Sequence, residues 1–425
     1  MHFEMRRGRK QKKLDKKACS TIEEKACRNT RIGIIMKKKV IAAIMIAVGI
    51  LAGCGKEEAP QIQTVEGEPI VQDTEEEIPS ATDETVTPGG SDTITERVVV
   101  DGKMQSYLTG EWKDEAVVKR RSMAVMIPNN KPAMPQYGIS KASIIYEAPV
   151  EGRITRLMAM FEDYDDLDHI GPVRSSRDYY LYESMCYDSI YVNWGLAVPF
   201  VGPIINTDEV DNVSESVEGI DTPAPEAFGR LTRSGYATEY TGYLFIDGYE
   251  KAVDRLGYAT EYTNRFVQAF TFAADGHRAE YTDYPSATKI YPGGTGSNSG
   301  GYGNANPCFT YNADDGLYYR FQYGAAQIDE LNNEQLTVSN VIFKICDGTI
   351  REPASLDYLQ FTVHGDGEAY VFTNGKVIHG TWKRSGNSYD PNYYYDENGQ
   401  EIVFNQGKTW ICCIWKDYAE YISYE

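Results

Sequence analysis

Ser143-Ile-Ile-Tyr-Glu-Ala-Pro-Val-Glu-Gly-Arg-Ile-Thr-Arg-Leu-Met-Ala-Met-Phe161 decides how the first half of this chain folds. Two apolar runs, Ser143–Tyr146 and Thr155–Phe161, flank a polar turn, and short apolar runs bounded by turn residues read as buried strands. Alternate residues of a strand share a face, which places Arg156 beside Met158 and Met160. A guanidinium on such a face is expected to be partly buried and to need an anionic partner.

Working outward, Met123–Ile127 reads as another buried strand, ended by Pro128-Asn-Asn. Arg177–Tyr187 fits a helix and Asp188–Asn193 a further strand. The expectation is an α/β (α+β) domain over residues 98–265. Beyond Phe266 the texture turns to Tyr-rich alternation with tight turns. Tyr370–Ile378 and Tyr393–Phe404 each place Asn-Gly between alternating runs, the signal of a two-residue hairpin. A mostly β domain is therefore expected over residues 266–425, with Gly293–Asn306 as an exposed Gly/Ser/Asn loop.

The other end carries an address. Lys37, Lys38 and Lys39 precede an apolar run, Val40–Leu51, closed by Leu51-Ala-Gly-Cys54. Charged start, short apolar core and small residues before a cleavage point make a secretory signal. The cysteine after Leu-Ala-Gly makes it a lipobox, so Cys54 is the expected site of lipidation. The run is shorter than the roughly 20 residues that span a bilayer. Residues 1–54 are thus expected to be an over-extended start plus a lipoprotein signal peptide. The acidic, aromatic-poor segment 55–97 is expected to be a disordered tether. The predicted address is the extracytoplasmic face of the cell membrane, held by diacylglyceryl and palmitate chains on Cys54.

A net charge of -20 excludes nucleic acid and a broad electrostatic hold on anionic lipid. After Cys19, Cys27 and Cys54 are set aside, five cysteines remain: Cys186, Cys308, Cys346, Cys412 and Cys413. They form no CxxC pair or His-Cys cluster, so neither a metal site nor a cofactor is expected, and buried thiols are the expected state of most.

The densest polar signal runs from Tyr146 to Arg177 and holds Glu147, Glu151, Arg153, Arg156, Arg174, Ser175 and Arg177. Arg174 and Arg177, three apart at the start of a helix, would present two forked donors to a phosphate or carboxylate. The competing reading is that Glu147 or Glu151 pairs with Arg156 or Arg174 and only ties two loops together. A third gives Glu147 or Glu151 the role of general acid, which also requires a water-excluding cleft. None of the histidines has metal-ligand spacing, and the tryptophans read mainly as core.

The series AVMIPNN (124–130), YEAPVEGRITRLMAMF (146–161), IGPVRSSRDYY (170–180) and YDSIYVNWG (187–195) resembles the YerB family of bacterial lipoproteins, also described as the DUF3048 family. The tail, with NVIF, NGKVIHGTWKR and FNQGKTWI, is similar to that family's C-terminal part. The resemblance implies a two-domain exported lipoprotein and carries over no settled activity. It gathers Glu147, Glu151, Thr155, Arg156, Arg174, Ser175 and Arg177 in one polar cluster. Asn193-Trp-Gly-Leu stands where relatives carry His-x-Gly-Gly, Ala237-Thr-Glu-Tyr where Pro-His-Asn is expected, and Gln327 where His is common. A His-dependent reaction is correspondingly disfavoured.

From these readings the expected function is binding of an anionic cell-envelope ligand, peptidoglycan or a lipid-linked glycan phosphate, through Arg156, Arg174, Ser175, Arg177 and Asn193. Cell-wall glycan or an envelope protein is the expected partner. The alternative is an enzyme that modifies peptidoglycan or a related glycan, with Glu147 or Glu151 as general acid.

Overall fold

A computed structural model describes residues 92–293, 302–353 and 356–425. The signal, Cys54, the tether up to residue 91 and residues 294–301 of the Gly/Ser/Asn loop lie outside the described residues. Strands dominate and helices are few.

One ten-stranded sheet organises the fold. In chain order its strands are β1 (Met123–Pro128), β2 (Ile144–Val150), β3 (Ile154–Phe161), β4 (Ile190–Asn193), β5 (Asn212–Ser214), β6 (Asn340–Cys346), β7 (Gly365–Thr373), β8 (Lys376–Arg384), β9 (Tyr393–Asp396) and β10 (Thr409–Trp415). Their order across the sheet is β9-β8-β7-β6-β10-β2-β3-β1-β4-β5. The sheet therefore runs through both halves of the sequence, joined where β10 lies parallel to β2 with Thr409 opposite Ile144. Strands covered on both faces need continuous apolar runs rather than alternation. Asn-Val-Ile-Phe-Lys-Ile-Cys of β6 and Thr-Trp-Ile-Cys-Cys-Ile-Trp of β10 have that character.

Each face has its own core. Met158, Met160, Ile411 and Cys413 pack on one face with the helices Asp178–Met185 and Val198–Ile205. Leu157, Ala159, Trp410 and Cys412 pack on the other with the helix Ile246–Leu256 and a second, six-stranded sheet that includes Cys308–Asn312 and Leu317–Gln322. Cys412 and Cys413 thus face opposite ways, as strand alternation requires. All five cysteines are free thiols and four are buried.

The first Asn-Gly signal forms the expected hairpin. Asn374 (φ 51°) and Gly375 (φ 68°) both occupy the left-handed region, as a type I′ turn demands, and β7 pairs with β8 over its whole length. The second also turns back on itself but pairs only briefly: Tyr395 and Glu401 form an antiparallel bridge, Asp396 N–H donates to Gln400 O and Ile402 N–H to Tyr394 O. Asp396 Oδ1 accepts the N–H groups of Asn398 and Gln400 and closes the turn. Past Ile402 the chain leaves β9, and Val403–Phe404 pairs parallel with Thr271–Phe272. The folded part also begins earlier than expected, because Ile94 is buried and donates its N–H to Phe272 O.

Candidate functional site

Register places Ala148, Arg156 and Pro128 side by side at one end of the sheet. The carboxyl ends of the parallel neighbours β1 and β4 open at the same end, the edge at which open sheets with parallel strands receive ligands. Arg156 lies on the face it shares with Met158 and Met160, and is only 6 % exposed. The expected anionic partner is missing. Nη1 donates to Ser175 O, and among the described residues no carboxylate lies within ion-pairing distance. Burial, then the like charges of Arg177 and Arg174, lower its pKa to about 10.

The arginines around it are not free donors, which corrects the picture of Arg174 and Arg177 as a bare pair. Arg177 stands just before the helix Asp178–Met185, and its Nε and Nη2 grip Glu151 through both carboxylate oxygens. Burial pushes the pKa of Glu151 up, but the hydrogen bonds and charge of Arg177 outweigh it and hold the carboxyl below its usual value. The Arg177 guanidinium also stacks over Tyr358 at 5.2 Å. Arg174 pairs at 3.2 Å with Glu239, which is half exposed, and lies 5.6 Å from the Tyr240 ring centre. Three arginines therefore face two carboxylates, and Arg156 is the one left over.

Ser175 and Asn193 shape the surrounding loops. Asn193 Nδ2 donates to Gly195 O and its Oδ1 accepts from Ser214. Gly195 has φ +98°, and a Cβ there would meet Ser175 Oγ at 2.6 Å, so the turn needs glycine. Trp194 projects from this turn beneath the Arg230 guanidinium at 4.5 Å. It is partly exposed, as Trp415 is, whereas Trp382 and Trp410 are core.

Glu147 belongs to another place. It sits on the opposite face of the sheet, fully buried against the six-stranded sheet. Asn129 Nδ2 (3.0 Å) and Thr155 Oγ1 (2.7 Å) donate to Oε1, while Arg320 Nη2 (2.8 Å) and Trp410 Nε1 (3.0 Å) donate to Oε2. Arg320 lies between the rings of Phe309 and Trp410, at 4.6 and 4.5 Å. The expected loop-tying pairs are thus replaced: Glu147 pairs with Arg320 and Glu151 with Arg177. Arg320, Gln322, Gln327 and Asn129 complete this network and were not singled out as a group from the sequence. No local signal marks Arg320: alternation in Leu317–Gln322 would turn Leu317, Tyr319 and Phe321 inward, whereas the structure buries Tyr318, Arg320 and Gln322.

A cleft of about 640 Å³ opens beside the helix Asp178–Met185, lined by Asp178, Phe200, Arg351, Phe361 and His364. Arg351 pairs with Asp178 there, and His364 is packed edge-on against Tyr182. Among the described residues no group of His, Cys, Asp and Glu could hold a metal ion, and no helix is long and apolar enough to cross a membrane.

Comparison with known proteins gives the following likenesses. Residues 108–262 match the family described as "Protein of unknown function (DUF3048) N-terminal domain", and residues 299–411 match its C-terminal domain. The Bacillus subtilis (strain 168) protein named "Putative lipoprotein YerB" is 27% identical over 315 residues, 73% of this chain and 86% of that one. The crystal structure of YerB from Bacillus subtilis has the same fold, with a TM-score of 0.61 at 24% identity, covering 76% of this chain and 99% of that one.

Proposed function

This chain belongs to the DUF3048 family, and from that premise we propose that it is a membrane-anchored lipoprotein that binds an anionic group of the cell envelope at the arginine end of its central sheet. The relative's name supports the lipoprotein reading, and the lipobox at Cys54 supplies the attachment point. Export through that signal leaves the folded part on the extracytoplasmic face.

The observation that carries the binding reading is Arg156. A buried guanidinium without a carboxylate is costly unless something else supplies the charge. The carboxylates of peptidoglycan peptides and the phosphate of a lipid-linked glycan both have the planar or tripodal acceptor geometry a guanidinium fork fits. Arg177 and Glu151 then act as a rigid wall that orients Arg156. Arg174 supplies a second donor once Glu239 yields it, and Trp194 offers an aromatic face for a sugar ring.

A general-acid role for either glutamate draws less support. Glu147 has four donors on two oxygens and no access to solvent, and Glu151 is held ionised by Arg177. A general acid must carry a proton at working pH and reach its substrate.

The test is sedimentation of the full chain with purified sacculi and, separately, with vesicles carrying a polyprenyl-phosphate-linked sugar. Retention on either that weakens with added salt is expected and names the source of the anion. Absence of retention on both, with the fold intact, overturns the binding reading. Soluble glycan fragments released from sacculi would replace it with the enzymatic one.

A further inference from the structure

Along the helix that follows Arg177, the core holds a second cluster of charges. Lys344 on β6 is fully buried, in the middle of the central sheet. Its Nζ lies 2.6 Å from Glu183 Oε1 and 2.6 Å from Asn392 Oδ1. Asn392 Nδ2 in turn donates to Glu183 Oε2 at 2.8 Å. The amide orientation follows from chemistry, since an ammonium only donates and a carboxylate only accepts. One carboxylate thus bridges an amine and the amide nitrogen of the group that amine touches. The Trp382 ring centre is 4.1 Å from Nζ, and Tyr146 Oη is 3.5 Å from Glu183 Oε1.

We propose that Lys344 and Asn392 become joined by an intramolecular isopeptide bond, with Glu183 as the catalytic proton carrier. Glu183 Oε1 takes a proton from Nζ, and the freed lone pair attacks Asn392 Cγ. The carbonyl becomes tetrahedral, and a second Nζ proton passes through Glu183 to Nδ2. The Cγ–Nδ2 bond then breaks, the carbonyl re-forms and ammonia leaves, taking up the proton that Lys344 brought. Lysine ammonium plus primary amide give secondary amide plus ammonium, so atoms and charge balance without an oxidant or co-reactant.

Three features favour this step over an inert ion pair. The geometry places nucleophile, carbonyl and leaving nitrogen around a single carboxylate, which is what effective molarity rewards. Lys344, Glu183 and Asn392 are all buried, with the Trp382 ring over Nζ, so bulk water is kept from the reacting atoms. The charge count is also unbalanced. Arg384 is fully buried as well, with Nη1 3.8 Å from Glu183 Oε1 and, among the described residues, no hydrogen-bond partner on Nη1 or Nε. Two buried cations therefore face one carboxylate, and expelling the lysine charge as ammonium leaves Glu183 and Arg384 as a matched pair. The bond would pin the residues before β9 to the centre of the sheet and close a segment spanning 48 positions.

The experiment is peptide mapping and intact mass of the full-length chain, denatured after prolonged incubation in the folded state. The expected result is a branched peptide containing both Lys344 and Asn392, lighter by one ammonia, with trypsin no longer cutting after Lys344. Glu183→Gln keeps the shape but not the proton carrier and is expected to return the two separate peptides. Separate, unmodified peptides from the wild-type protein overturn the proposal, whether or not any variant folds. A bond that still forms in Glu183→Gln overturns the role of Glu183.

Discussion

Arg320 Nη2 donates to Glu147 Oε2 across 2.8 Å, joining two fully buried side chains 173 positions apart in the sequence. The contact ties the central sheet to the six-stranded sheet. It lies beside Trp410 of β10, the strand that connects the two halves. Glu147 is therefore a structural anchor of the fold before it is anything else.

Removing one partner of a buried ion pair leaves the other uncompensated, at a cost of about 3–5 kcal/mol, whereas an apolar replacement of both is far milder. Arg320→Met and Glu147→Gln are each expected to destabilise by about that amount, and the double variant by clearly less than their sum. Urea unfolding of the four proteins checks this cycle. Additive losses would mean that the two side chains are not coupled.

The hairpin between β7 and β8 makes a second, local prediction. Gly375 holds φ +68°, and a Cβ there would meet Tyr311 Cε1 at 2.7 Å. Gly375→Ala is expected to cost more than the ~1 kcal/mol of conformational strain alone, because it also displaces the Tyr311 ring. The unfolding midpoint of this variant, against Gly399→Ala in the second turn, is the check. Gly399 has a similar φ of 77° but nothing within 4 Å of a Cβ, so the difference between the two isolates the clash.

His364 gives stability a pH dependence. Burial, reinforced by the Arg384 charge, lowers its pKa from 6.5 to about 4. The unfolded chain then binds the proton more readily than the folded one. The stabilisation is fully present above pH 6.5 and is lost as pH falls from there through about 4. His364→Gln is expected to flatten the stability profile between about pH 6.5 and 5, above the usual carboxylate range. Parallel profiles for wild type and variant in that window would contradict the assignment.

The strands of the site were readable because buried strands must be apolar and turns must carry Gly, Pro, Asn or Asp. Met123–Ile127 and Thr155–Phe161 grew by only a residue at an end in the structure. The turn of the first hairpin followed from Asn374-Gly375 alone. What local sequence does not carry is which distant charge meets which. Glu151 finds Arg177 rather than Arg156, and Glu147 finds an arginine from the other half of the chain. The same limit explains the second Asn-Gly turn, whose outgoing strand is captured by Thr271–Phe272 through packing of Phe404 on Phe270 and Phe272. The Arg156 side of the strand was correctly placed by alternation, yet its lack of a carboxylate is a property of three-dimensional neighbours.

In the proposed function, membrane attachment rests on Cys54. Cys54→Ala is expected to move the protein from the membrane fraction to the soluble fraction and to abolish incorporation of labelled palmitate. Unchanged fractionation would place the anchor elsewhere.

The most direct measurement of the central claim is the affinity of the full chain for whichever envelope preparation retains it, wild type against Arg156→Gln and Arg156→Lys. A hydrogen bond to a charged group is worth about 1.5–3 kcal/mol, so Arg156→Gln is predicted to weaken binding about ten- to a hundredfold, with unfolding midpoints at or above the wild-type value. Arg156→Lys, with a point charge in place of the fork, is predicted to fall between the two. Equal affinity for all three proteins, or a loss that merely tracks unfolding, would contradict the account.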